Sequence, residues 1–196
     1  MPPKVKFTRT EVIKAALDVV RANGISGLTA RALAAELGCS VKPIFGLFQN
    51  MEEVQQEVLA AADNLYQRYI QKEMQAGKYP SYKASGMAYI RFAKEEGELF
   101  KLLFMRDRSK EKAGEDKELL LPLLALIQKN TGLDEEEAYL FHIEMWIYVH
   151  GIATMIVTSY LDWDMEFISK VLTDAYVGLK CRYCKEGERN GSNQGN

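Results

Sequence analysis

The chain has 196 residues, of which 47% are hydrophobic and 27% charged, as in an ordinary globular protein with room for one or two cored domains. Three cysteines give no disulfide framework, which excludes a disulfide-rich secreted scaffold and favours a reducing compartment. No charged-then-apolar leader precedes Phe7, so we expect no signal peptide. The most apolar run, 146–157, contains His150 and Thr154, which favours a buried helix over a membrane span. We therefore expect a cytoplasmic protein without membrane segments.

Charge is unevenly distributed along the chain. Residues 1–50 hold seven lysines and arginines against three acids, a net charge of +4, whereas the remainder carries −6. A basic N-terminal segment followed by an acidic remainder is typical of a small DNA-binding domain joined to a domain with another function. Unevenly distributed solvent-exposed charge without a binding role is the alternative.

The first helix follows a short basic arm, residues 1–6. Apolar residues between Val12 and Val20 recur at spacings of three and four, which predicts one buried helical face. Thr8 or Thr10 can cap this helix. Gly24 ends it, since glycine readily adopts the left-handed conformation that closes a helix.

Two short helices follow between residues 29 and 48. Thr29 is predicted to cap the second helix, and Gly38 to end it. Ser40 is predicted to cap a third helix that contains Pro43 in its first turn, where a missing N–H group is tolerated. Ile44 and Phe48 share one face of this helix and should pack inward.

The rest of the chain is also predicted to be helical. Asn50 can cap a long fourth helix, 51–75, and residues 77–80 break it. Further helices are predicted at 81–96, 98–105, 117–130, 136–160 and 165–185, with a kink or late start at Pro122. The fold class is therefore all-α with about nine helices. We expect a DNA-binding domain at 1–50, an effector-binding and dimerisation domain at 51–186, and a disordered Gly/Asn-rich tail at 187–196.

Two short helices joined by a turn that contains glycine are typical of a helix-turn-helix, although helical hairpins without DNA-binding activity share the pattern. Residues 8–54 resemble the N-terminal domain of the TetR family of transcriptional regulators. The resemblance rests on Asn23-Gly24, Thr29, the Ala34–Gly38 turn with Cys39-Ser40, Ile44-Phe45, Phe48 and Glu52-Glu53-Val54. Residues 146–151, "WIYVHG", also resemble a Trp…His-Gly signature of some effector domains in this family.

The resemblance implies a palindromic double-stranded DNA operator, read by the third helix. The residues expected to contact DNA are Thr29, Arg31, Ser40, Val41, Lys42, Pro43 and Phe45. Lys42 carries the one strong donor on the outward face and can bind guanine or a phosphate. Helix starts at Thr29 and Ser40 would present amides to phosphates. Phe45, Leu47 and Met51 stand where the family often has Tyr, His and Lys, so polar contacts are fewer than usual.

The remaining helices are expected to bind a small-molecule effector and to form a homodimer. The last two helices are too apolar for one side to bury, which predicts that they pair with a second copy. Aromatic residues of the middle helices could line an apolar effector site or fill the core. The candidates are Phe92, Phe100, Phe104, His142, Trp146 and His150. Each histidine could instead be satisfied by a carbonyl group or a tyrosine hydroxyl.

Neither an enzyme nor a metal protein is predicted. We find no nucleophile elbow, phosphate loop or metal-ligand set, and Cys181-x-x-Cys184 is a lone pair without further ligands. No cofactor is expected. We predict a ligand-responsive repressor. The alternative is a non-enzymatic helical protein-interaction module with a degenerate DNA-binding face. The sequence names neither the effector, nor the operator, nor the sign of regulation.

Overall fold

The computed structural model describes residues 7–107, 109 and 116–192, and the side chains of all of these except 116–119 and 184–192. Within the described residues there are nine α-helices and no strand, which confirms the all-α prediction. Their bounds are α1 Arg9–Asn23, α2 Ala30–Glu36, α3 Lys42–Phe45, α4 Met51–Gln75, α5 Ser81–Glu95, α6 Gly97–Phe104, α7 Asp116–Thr131, α8 Glu135–Val157 and α9 Met165–Ser192. A short 3-10 turn, Ile25–Gly27, lies between α1 and α2.

The chain divides into two compact units, Met1–Tyr69 with Phe92–Asp107, and Ile70–Arg91 with Arg108–Asn196. Helices α4 and α5 each continue from one unit into the other. The predicted DNA-binding segment, 1–50, forms part of the first unit, which also includes most of α4 and all of α6. The predicted domain boundary after residue 50 stays a prediction.

The first unit is built around α1. Thr8 and Glu11 form a capping box at its start, where the Glu11 amide donates to the Thr8 hydroxyl at 3.2 Å. Gly24 follows its end with φ at +69°, as the glycine predicted. Helix α1 packs against α2 and α6. Its fully buried residues include Val12, Ala16 and Val20, so burial of this apolar face positions the two helices that follow.

The second unit is built from α7, α8 and α9, together with the segments of α4 and α5 that belong to it. Phe141 on α8 is fully buried, and its ring lies 5.3 Å from that of Tyr176 and 5.7 Å from that of Tyr183, both on α9. The buried core around it comprises Leu124, Ile127, Ala138, Met145 and Tyr183.

Several helix ends differ from the prediction. Helix α8 stops at Val157, before the predicted residue 160, and Ser159 has φ at +58°. Helix α7 begins at Asp116, ahead of Pro122, so the helix does not start late. Helix α9 continues to Ser192, six residues into the segment predicted to be disordered. Extending an existing helix orders one residue for each hydrogen bond gained, which is much easier than starting a new helix. No proline interrupts α9 in this segment.

Candidate DNA-binding surface and effector region

The turn between α2 and α3 has the form that the sequence predicts. The Thr29 hydroxyl accepts a hydrogen bond from the Ala32 amide at 3.1 Å, which confirms Thr29 as the cap of α2. Leu33 and Ala34 are buried against the first unit. Gly38 has φ at +62° and nothing within 4 Å of the position a Cβ would occupy, so backbone conformation, not crowding, favours glycine there.

Helix α3 is shorter than predicted and is not capped by Ser40. It spans only Lys42–Phe45, its N-cap residue is Val41, and no side chain makes a capping hydrogen bond. Val41 already has helical backbone angles, so the chain has turned into the helix before the Ser40 hydroxyl could reach its first amides. Pro43 lies in the first turn, as predicted.

The two faces of α3 separate buried from exposed residues. Ile44 is fully buried and Phe48, just after the helix, is 2% exposed, so both anchor α3 to the first unit. Val41 and Phe45 are 41% and 44% exposed, and Lys42 is exposed beside them. Phe45 is therefore not a core residue. The outward surface of α3 carries one cation and two apolar side chains.

Arg9, at the start of α1, contacts the far end of α3, and the sequence did not suggest this role. One guanidinium nitrogen donates to the Leu47 carbonyl oxygen at 2.6 Å. The other donates to Glu53 at 2.6 Å and also to Glu57. The guanidinium carbon lies 4.3 Å from the centre of the Phe48 ring. An open cleft of about 260 Å³ adjoins these residues, lined by Arg9, Phe45, Gly46, Leu47, Phe48, Gln49 and Glu53.

Carboxylates within the first unit neutralise part of its positive charge. Arg21 pairs with Asp18 at 2.7 Å and with Glu96 at 2.8 Å, so it is held on the protein in the same manner as Arg9. Among residues 7–50, the cations that form no ion pair are Lys14, Arg31 and Lys42, and all three are exposed. Lys4 and Lys6, in the predicted basic arm, lie outside the described residues. The charge count of +4 therefore overstates the charge available to DNA.

The six predicted effector residues lie in two different units. Phe92, Phe100 and Phe104 belong to the first unit, where Phe92 and Phe100 are fully buried. The Phe104 ring lies 5.1 Å from that of Phe100 and 5.2 Å from that of Tyr66, in a close-packed aromatic cluster. This cluster fills the core around α4 and α6, which was the alternative to a ligand site.

His142, Trp146 and His150 share one face of α8 in the second unit, as their spacing predicts. The Tyr82 hydroxyl lies 3.1 Å from His142 Nδ1, and the Tyr89 hydroxyl lies 2.9 Å from His150 Nδ1. Both tyrosines are on α5, so each histidine is satisfied by a tyrosine hydroxyl. Burial lowers the pKa of both histidines below 6.5 by disfavouring the charged imidazolium. Trp146 stacks on His150 at 4.9 Å and is 44% exposed.

Among the residues whose side chains the structure describes, α8 exposes six large apolar side chains and α9 exposes two. The exposed residues on α8 include Leu140, 48% exposed, Ile147, 60%, and Tyr148, 49%. On α9, Phe167 and Val177 are 46% and 51% exposed. Other apolar residues of α9, such as Ile168 and Leu172, pack inside the second unit. The surface formed by Leu140, Ile147, Tyr148, Met155, Phe167 and Val177 is called the α8–α9 face below.

Helix α8 is long and apolar enough to cross a membrane by length and composition alone. Core helices of proteins that do not enter membranes pass the same test. Phe141, Met145 and Ala153 on this helix are buried inside the second unit, and three glutamates lie in its first turn. The sequence favoured a buried helix over a membrane span in this region, and the packing of one side of α8 agrees with that prediction.

Residues 82–175 match the family described as "Tetracyclin repressor-like, C-terminal domain". The match runs from α5 into α9 and includes the two Tyr–His pairs. Among curated proteins, none matches the chain at a significant level of sequence similarity.

Several solved structures share the fold at low sequence identity. A putative transcriptional regulator from Pseudomonas aeruginosa PAO1 is 15% identical, with a TM-score of 0.68, covering 91% of this chain and 95% of its own. A TetR family member from Streptomyces coelicolor A3 is 19% identical, with a TM-score of 0.59 and coverages of 88% and 98%. The multidrug binding protein EbrR, complexed with imidazole, is 19% identical, with a TM-score of 0.56 and coverages of 85% and 93%.

Proposed function

We propose that the chain is a TetR-family repressor that binds a palindromic DNA operator as a homodimer, because residues 82–175 match the TetR-like C-terminal domain and the solved structure of a TetR family member shares its fold. A small apolar or aromatic ligand then releases it from the operator. The protein acts in the cytoplasm and has no enzymatic role in this proposal. The DNA partner is double-stranded, and the effector is a compound of unknown identity.

The observation that carries the proposal is the exposed outer surface of α3. Its inner residues, Ile44 and Phe48, are buried, so the helix presents Val41, Lys42 and Phe45 outward from the first unit. In helix-turn-helix proteins the second helix of the motif enters the major groove, where such side chains meet base edges. Lys42 can donate to guanine or to a phosphate, and the apolar pair suits thymine methyl groups.

Helices α2 and α3 are expected to bind DNA through few polar contacts per half-site. Arg31 and Lys42 are the exposed cations nearest the turn, and Thr29 and Ser40 are exposed beside them. Counterion release should make affinity fall steeply as salt rises, in proportion to the number of phosphates contacted. Two half-sites bound by one dimer would compensate for the small number of contacts in each.

The test is selection from random duplex DNA with the full-length protein. We expect an enriched palindrome whose half-sites are spaced by about one helical turn or a multiple of it. Lys42→Ala should weaken binding and lower the salt slope by about one unit if Lys42 contacts a phosphate. Lys129→Ala, at an exposed cation of α7, is the matched control. Selection that enriches no palindrome would refute the proposal.

The α8–α9 face supports the homodimer part of the proposal. Its large apolar side chains, among them Ile147 and Tyr148, are about half exposed in a single chain. Large exposed apolar patches mark interaction sites, and a two-fold interface allows the same surface on both copies to cover itself. The pairing of the last two helices across a two-fold axis is also what the family resemblance implies.

The effector part of the proposal rests on the face of α8 that carries Trp146 and His150. The indole of Trp146 is half exposed, and the His150 imidazole beneath it offers a polar atom to a ligand. An apolar or aromatic ligand could stack on the exposed indole at this surface, where it would have to displace the Tyr89 hydroxyl to reach the Nδ1 atom of His150. Ligand binding should change operator affinity by about 5- to 150-fold. Operator affinity that does not change at saturating ligand would refute this part.

The protein-interaction module is the second candidate, because α3 exposes two large apolar residues, Val41 and Phe45, beside its single cation. Such a surface could bind a protein partner as well as thymine methyl groups. A gel-shift assay with the DNA upstream of the protein's own gene separates the two functions. A specific, salt-sensitive shift favours the repressor, and its absence favours the interaction module.

A further inference from the structure

Helix α3 has too little structure of its own to hold a fixed orientation. It spans four residues, and its start has no side-chain cap. A helix this short has no independent stability, because nucleation consumes its few hydrogen bonds. The backbone continues for one more turn, in which the Phe48 amide donates to the Ile44 carbonyl at 2.9 Å and the Gly46 amide donates to the Lys42 carbonyl at 3.0 Å. Its orientation therefore depends on contacts with other elements.

Arg9 supplies such contacts at the end of this turn. Carbonyl groups in the last turn of a helix have no partner within the helix, and the Leu47 carbonyl accepts from the Arg9 guanidinium at 2.6 Å. The same guanidinium lies over the ring of Phe48, which is one of the two buried anchors of α3. A cation at this end of a helix is also favoured by the helix dipole.

The guanidinium is in turn held by the start of α4. Glu53 accepts from Arg9 at 2.6 Å and from the Gln49 amide at 2.6 Å, and Glu57 accepts from Arg9 one turn later. Backbone donation from Gln49, with Arg9 second, lowers the pKa of Glu53. One side chain on α1 thus joins the end of α3 to the start of α4, and its positive charge is paired with two carboxylates.

We propose that Arg9 is a positioning residue for DNA recognition: it fixes the orientation of α3 through Leu47, Phe48, Glu53 and Glu57. It does not contact a phosphate, although it belongs to the basic N-terminal region. This inference rests on the proposed operator binding. Only a planar guanidinium group, with its several N–H donors, can make these contacts at once. Lysine at this position would keep the positive charge but could not make the same set of hydrogen bonds.

The first test compares Arg9→Lys and Arg9→Gln with the natural protein on its selected operator over a range of salt concentrations. We expect the affinity of both variants for the operator to fall by about 5- to 30-fold. This is the change in an equilibrium constant that the loss of a few local contacts produces. The slope of log affinity against log salt should stay unchanged in both, since no phosphate contact is removed. Lys14→Gln, at an exposed unpaired cation of the same helix, controls for the loss of positive charge.

A second measurement does not require DNA. Amide hydrogen exchange at Gly46 and Phe48 should speed up in Arg9→Lys, whereas exchange at the buried Val12 and Val20 of α1 should match that of the natural protein. Unchanged exchange at Gly46 and Phe48 would overturn the proposal, and faster exchange throughout the first unit would replace it with a general role in stability.

The outcomes distinguish the two proposals. If the natural protein binds its operator and Arg9→Lys binds it equally well, the positioning role is wrong. If Arg9→Gln lowers the salt slope by about one unit, Arg9 contacts a phosphate and the positioning role is again wrong. If the natural protein selects no operator, the repressor proposal fails by itself. The exchange measurement then still decides whether Arg9 holds α3.

Discussion

Replacing Ile147 by Ala should weaken the homodimer while leaving the folded chain almost unaffected. Ile147 is 60% exposed on the α8–α9 face of a single chain. The substitution removes three carbon atoms, each worth about 0.8 kcal/mol when fully buried. If the partner covers the exposed fraction, the loss is about 1.5 kcal/mol per copy and about 3 kcal/mol per two-fold dimer. That corresponds to a rise of about 150-fold in the dissociation constant.

Analytical ultracentrifugation over a range of protein concentrations measures this constant directly. Leu121→Ala is the matched control, because Leu121 is 55% exposed on α7, outside the α8–α9 face. Alanine also favours the helix at position 147, so the folded monomer should not lose stability. A dissociation constant for Ile147→Ala equal to that of Leu121→Ala would refute the assignment of this face to the dimer.

Three further predictions concern stability. Thr29→Ala removes the cap of α2 and should cost about 1 kcal/mol in denaturant unfolding, and no change would show that the cap is dispensable. Tyr82→Phe leaves the buried His142 Nδ1 without its partner and should cost about 1–3 kcal/mol, a larger loss than for the exposed Tyr148→Phe. Burial lowers the pKa of His142 in the folded chain, so the unfolded chain binds the proton more readily, and stability should fall as pH drops below about 6.5. His142→Gln should flatten that pH dependence, and an equally steep curve would assign it to other groups.

Local sequence patterns predicted the elements of this fold well, because their causes lie within a few residues. The Thr8 and Thr29 caps, the left-handed glycines at 24 and 38, and the start of α4 behind Asn50 all form as expected. Each depends on a side chain that reaches an amide three residues away, or on glycine's freedom from a Cβ. The spacing of His142, Trp146 and His150 likewise placed all three on one face of α8.

Predictions failed where tertiary contacts compete with local preference. Ser40 was the better cap by residue type, yet burial of Ile44 and Phe48 turns the chain into α3 at Val41, beyond the reach of its hydroxyl. For the aromatic residues 92, 100 and 104 the sequence left an effector site and core filling open, and packing buries two of them fully in the first unit. Aromatic content does not distinguish a pocket from a core, since both are apolar.

The sequence by itself determined the all-α class and the two short helices joined by a glycine-containing turn, because helical periodicity and turn residues act locally. The resemblance to the TetR family came from motif residues, and the match of residues 82–175 agrees with it. The tertiary structure alone decided which cations are paired within the protein and which side chains contact the end of α3. Arg9 pairs with carboxylates more than 40 residues away, and Arg21 with one 75 residues away. No periodicity indicates such a pairing, since it exists only after burial of apolar faces has brought α1, α4 and α6 together.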